Sequence, residues 1–181
     1  MNKEQVYGSH KFVLEAILNK FEIASILEFG TGYCSTPLFL KNAKRVLSIE
    51  EQSEEWYNKI KDAYSKEDNF EIRLSLSNVE TIDNFSKSKE CFDLIFVDGH
   101  NQTRAELTNI ATDHTGIIVC HDTEHEQFYR WDTIHKDNPG WEWFNIEKEY
   151  PNTSIFTNNG EVKNFLISKT VEWSISRLRE E

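Results

Sequence analysis

Ile26-Leu27-Glu28-Phe29-Gly30-Thr31-Gly32-Tyr33-Cys34-Ser35-Thr36-Pro37 is the stretch on which the reading of this chain turns. The apolar run from Ile23 to Phe29 has the length of a buried strand and ends at Gly30-Thr31-Gly32. Glycines at such a turn let the backbone bend tightly and pass close to a bound molecule. Ser35-Thr36-Pro37 then opens a helix, with hydroxyls and a proline where the first turn has unpaired N–H groups. Glu28 is the odd residue of the strand. A carboxylate in an apolar run is costly without a partner. It predicts either a cationic group close by or a structural cap on backbone N–H groups.

The pattern continues outward on both sides. Ser9 is placed to cap a helix over 9–20, in which Phe12, Val13, Ala16 and Ile17 share a face. Downstream, Arg45 to Ile49 reads as a second strand and ends at Glu50, 20 residues after Gly30. An acid at that spacing suits hydrogen bonds from both ribose hydroxyls of a nucleoside. The plainer alternative is a solvated acid, since Glu51, Glu54 and Glu55 follow. Ser53 to Tyr64 reads as a helix, Phe70 to Leu76 as a strand and Asn78 to Phe85 as a short helix. Phe92 to Val97 is an apolar strand ending at Asp98, Thr103 to Ala111 a helix, and Gly116 to Cys120 a buried strand ending at His121-Asp122. Five strand–helix repeats with near-continuous apolar strands predict a parallel sheet covered on both faces, and ligands then bind beyond the carboxyl ends of the strands.

The remainder predicts a helix over Glu124–Ile134 and two strands, Trp141–Glu149 and Thr153–Thr157, forming an antiparallel edge. Asn159-Gly160 suits a hairpin turn leading to a strand near Val162–Ser168, with a last helix over Thr170–Arg179. No linker or repeat divides the chain, so residues 1–181 are read as one domain: an N-terminal helix 9–20, a core 23–157 and a C-terminal extension 160–181.

Composition bounds the function. The 181 residues carry 31 acidic and 20 basic side chains, a net charge of −11. Such a surface repels phosphate backbones, and nucleic acid is not an expected partner. The three cysteines, Cys34, Cys91 and Cys120, are widely spaced and odd in number, which suits free thiols in a reducing compartment. The first residues are polar and no run is long and apolar enough to span a membrane. A cytoplasmic location is the expectation.

With ILEFGTGYCSTPLFL, RVLSIE, CFDLIFVDGH and GIIVCHDT on the page, the chain resembles class I S-adenosylmethionine-dependent methyltransferases, nearest to their small-molecule O-methyltransferase branch. The resemblance covers about residues 9 to 157. It implies a three-layer α/β/α sandwich with a seven-stranded, mostly parallel sheet of order 3-2-1-4-5-7-6 and strand 7 antiparallel. It further implies that Glu28, Gly30 and Gly32 line the methionine part of S-adenosylmethionine. Glu50 would hold the ribose, Ser77 and Asn78 would flank the adenine, and Asp98 would lie near the sulfonium. A homodimer is an open alternative. The departures are Cys34 at the third motif glycine and the short Thr112-Asp113-His114-Thr115-Gly116 loop, and no inserted cap is present for the acceptor.

Chemistry is expected at the ends of the fourth and fifth strands. In metal-using O-methyltransferases, acids at the positions of Asp98 and Asp122 hold a divalent cation, usually Mg2+, that acidifies an acceptor hydroxyl. His121 and His125 are candidate additional ligands. The alternative is that His121 is simply hydrogen-bonded and Asp122 caps the next helix. His100, two residues past Asp98, is the candidate general base, since imidazole titrates near neutrality; a surface loop histidine is the alternative. Tyr129, Trp131, Trp141 and Trp143 form either an acceptor wall or part of the core. Three functions follow: a methyltransferase acting on a small hydroxylated acceptor, a non-catalytic module that binds a nucleoside or a protein, and a nicotinamide-linked oxidoreductase. Glu28, which would face a pyrophosphate, and Ser35, where a third glycine is wanted, disfavour the last.

Overall fold

The computed structural model describes residues 9–134 and 138–178. The polar start and the last three residues of the C-terminal extension lie outside them. The elements are α1 (Lys11–Lys20), β1 (Ser25–Phe29), α2 (Thr36–Asn42), β2 (Arg45–Glu50), α3 (Glu54–Ala63), β3 (Phe70–Leu74), α4 (Asn78–Lys87), β4 (Leu94–Val97), α5 (Arg104–Ala111), β5 (Ile117–His121), α6 (Glu126–Tyr129), β6 (Glu142–Ile146), β7 (Thr153–Thr157), α7 (Gly160–Trp173) and β8 (Ile175–Leu178). The sheet order is β3-β2-β1-β4-β5-β7-β6-β8. Strands β1 to β5 run parallel, and β7 is antiparallel to both β5 and β6. This is the expected order with an eighth strand added.

Alternation along the strands builds two cores. Ile26, Val46, Leu94, Phe96, Val119 and Ile155 face one side, where α1, α2 and α7 deliver Val13, Leu14, Ile17, Phe39, Val162, Leu166 and Trp173. Leu27, Leu47, Ile95, Val97, Ile118 and Phe156 face the other, against Phe85 of α4 and Leu107 and Ala111 of α5. Every residue of β4 and β5 is buried. A strand covered on both faces must be apolar at each position, which is why those runs are unbroken.

Three expectations fail after β5. The helix over 124–134 is only α6 followed by a 3-10 turn, Trp131–Thr133, because Arg130 between them takes a left-handed φ of 59°. The strand expected near Val162–Ser168 is the helix α7. The Asn159 side chain accepts hydrogen bonds from the backbone N–H groups of Glu161 and Val162, so Asn-Gly acts as a helix cap and not as a hairpin turn. The last helix expected from Thr170 ends at Trp173. Ser174, with φ 52°, turns the chain back, and β8 pairs antiparallel with β6.

Candidate cofactor and acceptor site

The turn after β1 is packed from below by side-chain hydroxyls. The parallel register sets Glu28 opposite Ser48 of β2. Glu28 is fully buried and accepts hydrogen bonds from Ser48 Oγ (2.6 Å), Ser35 Oγ (2.5 Å) and Thr36 Oγ1 (2.8 Å). Burial pushes its pKa up to about 7, although the three hydroxyls pull the other way. Its bonds run to these three hydroxyls, not to a cationic side chain. The carboxyl therefore ties β1, β2 and the start of α2 together beneath the glycine turn.

The two glycines of the turn differ. Gly30 has φ +80°, and a Cβ there would lie 2.5 Å from the Asp98 carbonyl oxygen, so β1 and β4 meet at this point. At Gly32 the nearest atom to such a Cβ is Ser35 Oγ at 3.6 Å. The fold does not need glycine there, and space above the turn stays free. Glu50 is buried at the end of β2. Its Oε2 accepts from the Thr31 hydroxyl (2.7 Å), and its Oε1 from the backbone N–H groups of Gln52 (2.8 Å) and Ser53 (3.2 Å). A hydroxyl donor already engages the carboxylate expected to receive ribose hydroxyls. The Trp56 indole N–H donates to Thr31 O, and exposed Tyr33 lies edge-on to Trp56. Ser77 caps α4 by accepting from Glu80 N–H. Asn78 donates to Gln102 Oε1 (3.0 Å) and lies 3.4 Å from His100 Nδ1.

The expected metal pair is bridged by a residue that sequence reasoning missed. The Arg104 guanidinium is buried between the two acids, with Nη2 2.9 Å from Asp98 Oδ1 and Nη1 2.9 Å from Asp122 Oδ2. It also donates to the carbonyls of Gly99 and His121, and Tyr129 covers it at 4.2 Å. A cation of the protein thus stands where a shared magnesium would be needed, and the Asp98–Asp122 pair does not fit one. Asp122 does not cap a helix; it takes φ 57° and accepts from Arg104 and the Tyr129 hydroxyl. Burial alone would raise the Asp98 pKa, but His121 and Arg104 outweigh it and hold the carboxyl far below the usual range.

His121 Nδ1 lies 3.2 Å from Asp98 Oδ1, and its Nε2 lies 2.9 Å from Ser9 Oγ. Burial would lower the His121 pKa, yet the Asp98 carboxylate raises it. Ser9 therefore does not cap α1; the capping position is His10, without a side-chain cap bond. His10 is buried with its ring 4.5 Å from that of His121, and neither of its nitrogens has a hydrogen-bond partner among the described residues. Burial, then the neighbouring His121, pushes its pKa down to about 4.

His100 is not part of this corner. Its Nδ1 faces Asn78 and the Gln102 N–H on the expected adenine side. His125 pairs with Glu124 at 3.3 Å. Trp131 is buried, 5.9 Å from Trp143, and Trp141 packs 4.8 Å from Phe156, so these rings belong to the core. Glu51 was also missed. It is buried against Gly99, accepts from His100 N–H and Thr103 Oγ1, and burial pushes its pKa up to about 7. A lone Arg, His or Glu gives no periodic signal in a sequence, and these pairings join distant segments.

A cavity of about 470 Å3 runs under α4 along the sheet, lined by Leu27, Leu47, Leu74 and Phe85. Of its charged lining residues, Arg73, Lys87 and Glu90 are paired with Glu71, Asp83 and Arg45, and Glu80 lies in the first turn of α4. It is not the strand-end site.

No family model matches the sequence, and no curated protein matches it. Solved structures do. An O-methyltransferase from Bacillus cereus in complex with S-adenosylhomocysteine is 21% identical, with a TM-score of 0.67 over 82% of this chain and 80% of that one. TomG, an O-methyltransferase of tomaymycin synthesis from Streptomyces achromogenes in complex with S-adenosylmethionine, is 16% identical, with a TM-score of 0.64 over 84% and 80%. The N-methyltransferase NodS from Bradyrhizobium japonicum is 13% identical, with a TM-score of 0.59 over 87% and 99%. The fold is that of class I methyltransferases. Because both O- and N-methyltransferases share it, the fold does not choose the accepting atom.

Proposed function

We propose that the protein is an S-adenosylmethionine-dependent methyltransferase that acts on a small acceptor, at a hydroxyl oxygen. The observation that carries this reading is the meeting of Thr31 and Glu50 at the carboxyl ends of β1 and β2. Glu50 would accept the ribose hydroxyls in place of Thr31 Oγ1. Gly30 and Gly32 would pass beneath the methionine part, on the turn that Glu28 holds from below, and Ser77 and Asn78 would flank the adenine. The acceptor oxygen attacks the methyl in line, and positioning supplies most of the rate. The expected general base, His100, turns its ring to Asn78 and Gln102, away from the corner where Asp98 and His121 meet at the ends of β4 and β5.

Calorimetric titration with S-adenosylmethionine, S-adenosylhomocysteine and NAD tests the cofactor. The two adenosyl compounds should bind and NAD should not, and Glu50→Ala should weaken binding about ten-fold or more through lost hydrogen bonds to a carboxylate. Full affinity in that variant would refute the ribose assignment. A second reading, a module that binds nucleoside or protein without turnover, is favoured by the Arg104 bridge, which occupies the acids that metal-using relatives need free. Incubation with S-adenosylmethionine and a cell metabolite extract separates the two. Release of S-adenosylhomocysteine supports catalysis, and binding without release supports the module.

A further inference from the structure

We infer that His10, Asp98 and His121 form a binding site for a divalent transition metal, with imidazole ligands from two distant elements and one carboxylate. The three offer one ligand atom each, and these atoms all lie within 4.8 Å of one another. Modest side-chain rotation closes such a spacing to ligand bonds of about 2.0–2.2 Å. The independent sign is His10. An imidazole buried to 97%, with neither nitrogen partnered among the described residues, is an anomaly, because buried polar atoms are nearly always satisfied. Its ring stands edge-on to His121, so the unsatisfied nitrogens belong to the corner where His121 and Asp98 already meet.

The shell around the cluster is also built for a metal. Ser9 Oγ holds His121 Nε2, as outer hydrogen bonds hold ligand imidazoles, and this leaves Nδ1, on the Asp98 side, to bind. Asp98 Oδ1 carries Arg104 and His121, and a carboxylate offers a second oxygen. Charge does not oppose the ion. Asp98 and Asp122 carry two negative charges against one on Arg104, which leaves a net negative corner for a dication. The ligand set selects the metal: two imidazoles and one carboxylate suit zinc, iron, nickel or cobalt better than magnesium. Asp122 is outside the set because, among the described residues, the ligand atoms that lie within 4.8 Å of one another are those of His10, Asp98 and His121. The cluster argues for binding without reference to methyl transfer. Only the use of the metal, to hold and acidify the acceptor beside Asp98, rests on that reading.

The test is metal binding by the chelator-stripped full chain. Calorimetry with Zn2+ should show one ion per chain, Co2+ should develop visible d–d absorption, and Zn2+ should raise the melting temperature by ~4 °C or more. His10→Phe keeps a buried ring against Phe96 and removes both nitrogens. It should fold at least as stably as the stripped wild type, lose affinity by ~100-fold and show no shift with Zn2+. Ser9→Ala should weaken binding ~10-fold by freeing the outer nitrogen of His121. Asp122→Asn should bind within a few-fold of wild type. If His10→Phe does not fold, His10→Gln takes its place with the same expected loss. No binding at millimolar Zn2+ or Co2+ overturns the site, as does equal binding without the imidazole. Binding that needs Asp122 and ignores His10 overturns it in favour of the acid pair. None of these readouts uses turnover, so a failed metal site and a failed methyltransferase reading are distinguishable.

Discussion

Glu28 shows how one carboxyl makes the turn depend on pH. Its ordinary pKa is 4.5, and burial raises it to about 7 in the folded protein. Below about 4.5 folded and unfolded chains both hold the proton, and the group adds no pH dependence. Between about 4.5 and about 7 the folded chain keeps a proton that the unfolded chain has released. Stability therefore falls as pH rises through that window, by on the order of 3 kcal/mol for such a carboxyl. Glu51 acts in the same direction. Glu28→Gln should remove its share, so that the variant gains on wild type as pH rises from 4.5 to 7.5 in urea melts. A stability difference that is flat with pH would place the titration elsewhere. The glycines separate folding from binding. Gly30→Ala should lower stability, because its Cβ meets the Asp98 backbone at 2.5 Å and its φ is positive. Gly32→Ala should melt like wild type and lose S-adenosylhomocysteine affinity, since the methyl group enters only the free space. Wild-type affinity in this second variant would take the cofactor off the turn.

The elements differ in how plainly they were written in the sequence. β4 and β5 were legible because both of their faces are buried, which forces an unbroken apolar run. α7 was not, because Asn159-Gly160 serves a hairpin turn and a helix cap equally well, and only the burial of Val162, Leu166 and Trp173 on one face decides. The candidate site divides the same way. Glu50 and the glycines follow from spacing along one strand–turn–helix–strand unit. Arg104 between two acids and His10 beside His121 arise only when distant segments close on each other. α7 and β8 also differ in what they hold. Ending the chain after Asn158 removes three buried side chains, each worth about 1.5–3 kcal/mol. That approaches the whole stability of an ordinary domain, and this product should not fold cooperatively. Ending it after Ser174 removes β8, at the sheet edge beyond β6, together with residues 179–181. This shorter chain should give a single cooperative melt and unchanged S-adenosylhomocysteine affinity, because β1 and β2 lie on the far side of the sheet. A non-cooperative melt would make β8 part of the core unit.

For the molecule as a whole, the net charge of −11 acts on any charged ligand. S-adenosylmethionine carries one more positive charge than S-adenosylhomocysteine, at the sulfonium. The field of an acidic protein favours the charged cofactor, and salt screens that preference over ~10 Å at 0.1 M. Raising salt from ~0.02 to ~0.5 M should therefore weaken S-adenosylmethionine binding a few-fold more than S-adenosylhomocysteine binding, as read by calorimetry. An equal response would show that the sulfonium does not sense the surface charge.

The contact between Gly99 and Glu51 constrains how this sequence can change with time. A Cβ at residue 99 would lie 1.8 Å from Glu51 Oε2, and that same carboxylate receives the N–H of His100. A side chain at 99 pushes the end of Glu51 aside, and the carboxylate then gives up the N–H of His100 and the hydroxyl of Thr103 unless residue 51 changes as well. The two positions therefore drift together, so descendants of this chain that carry another residue at 99 should carry a changed residue 51 more often than those that keep the glycine.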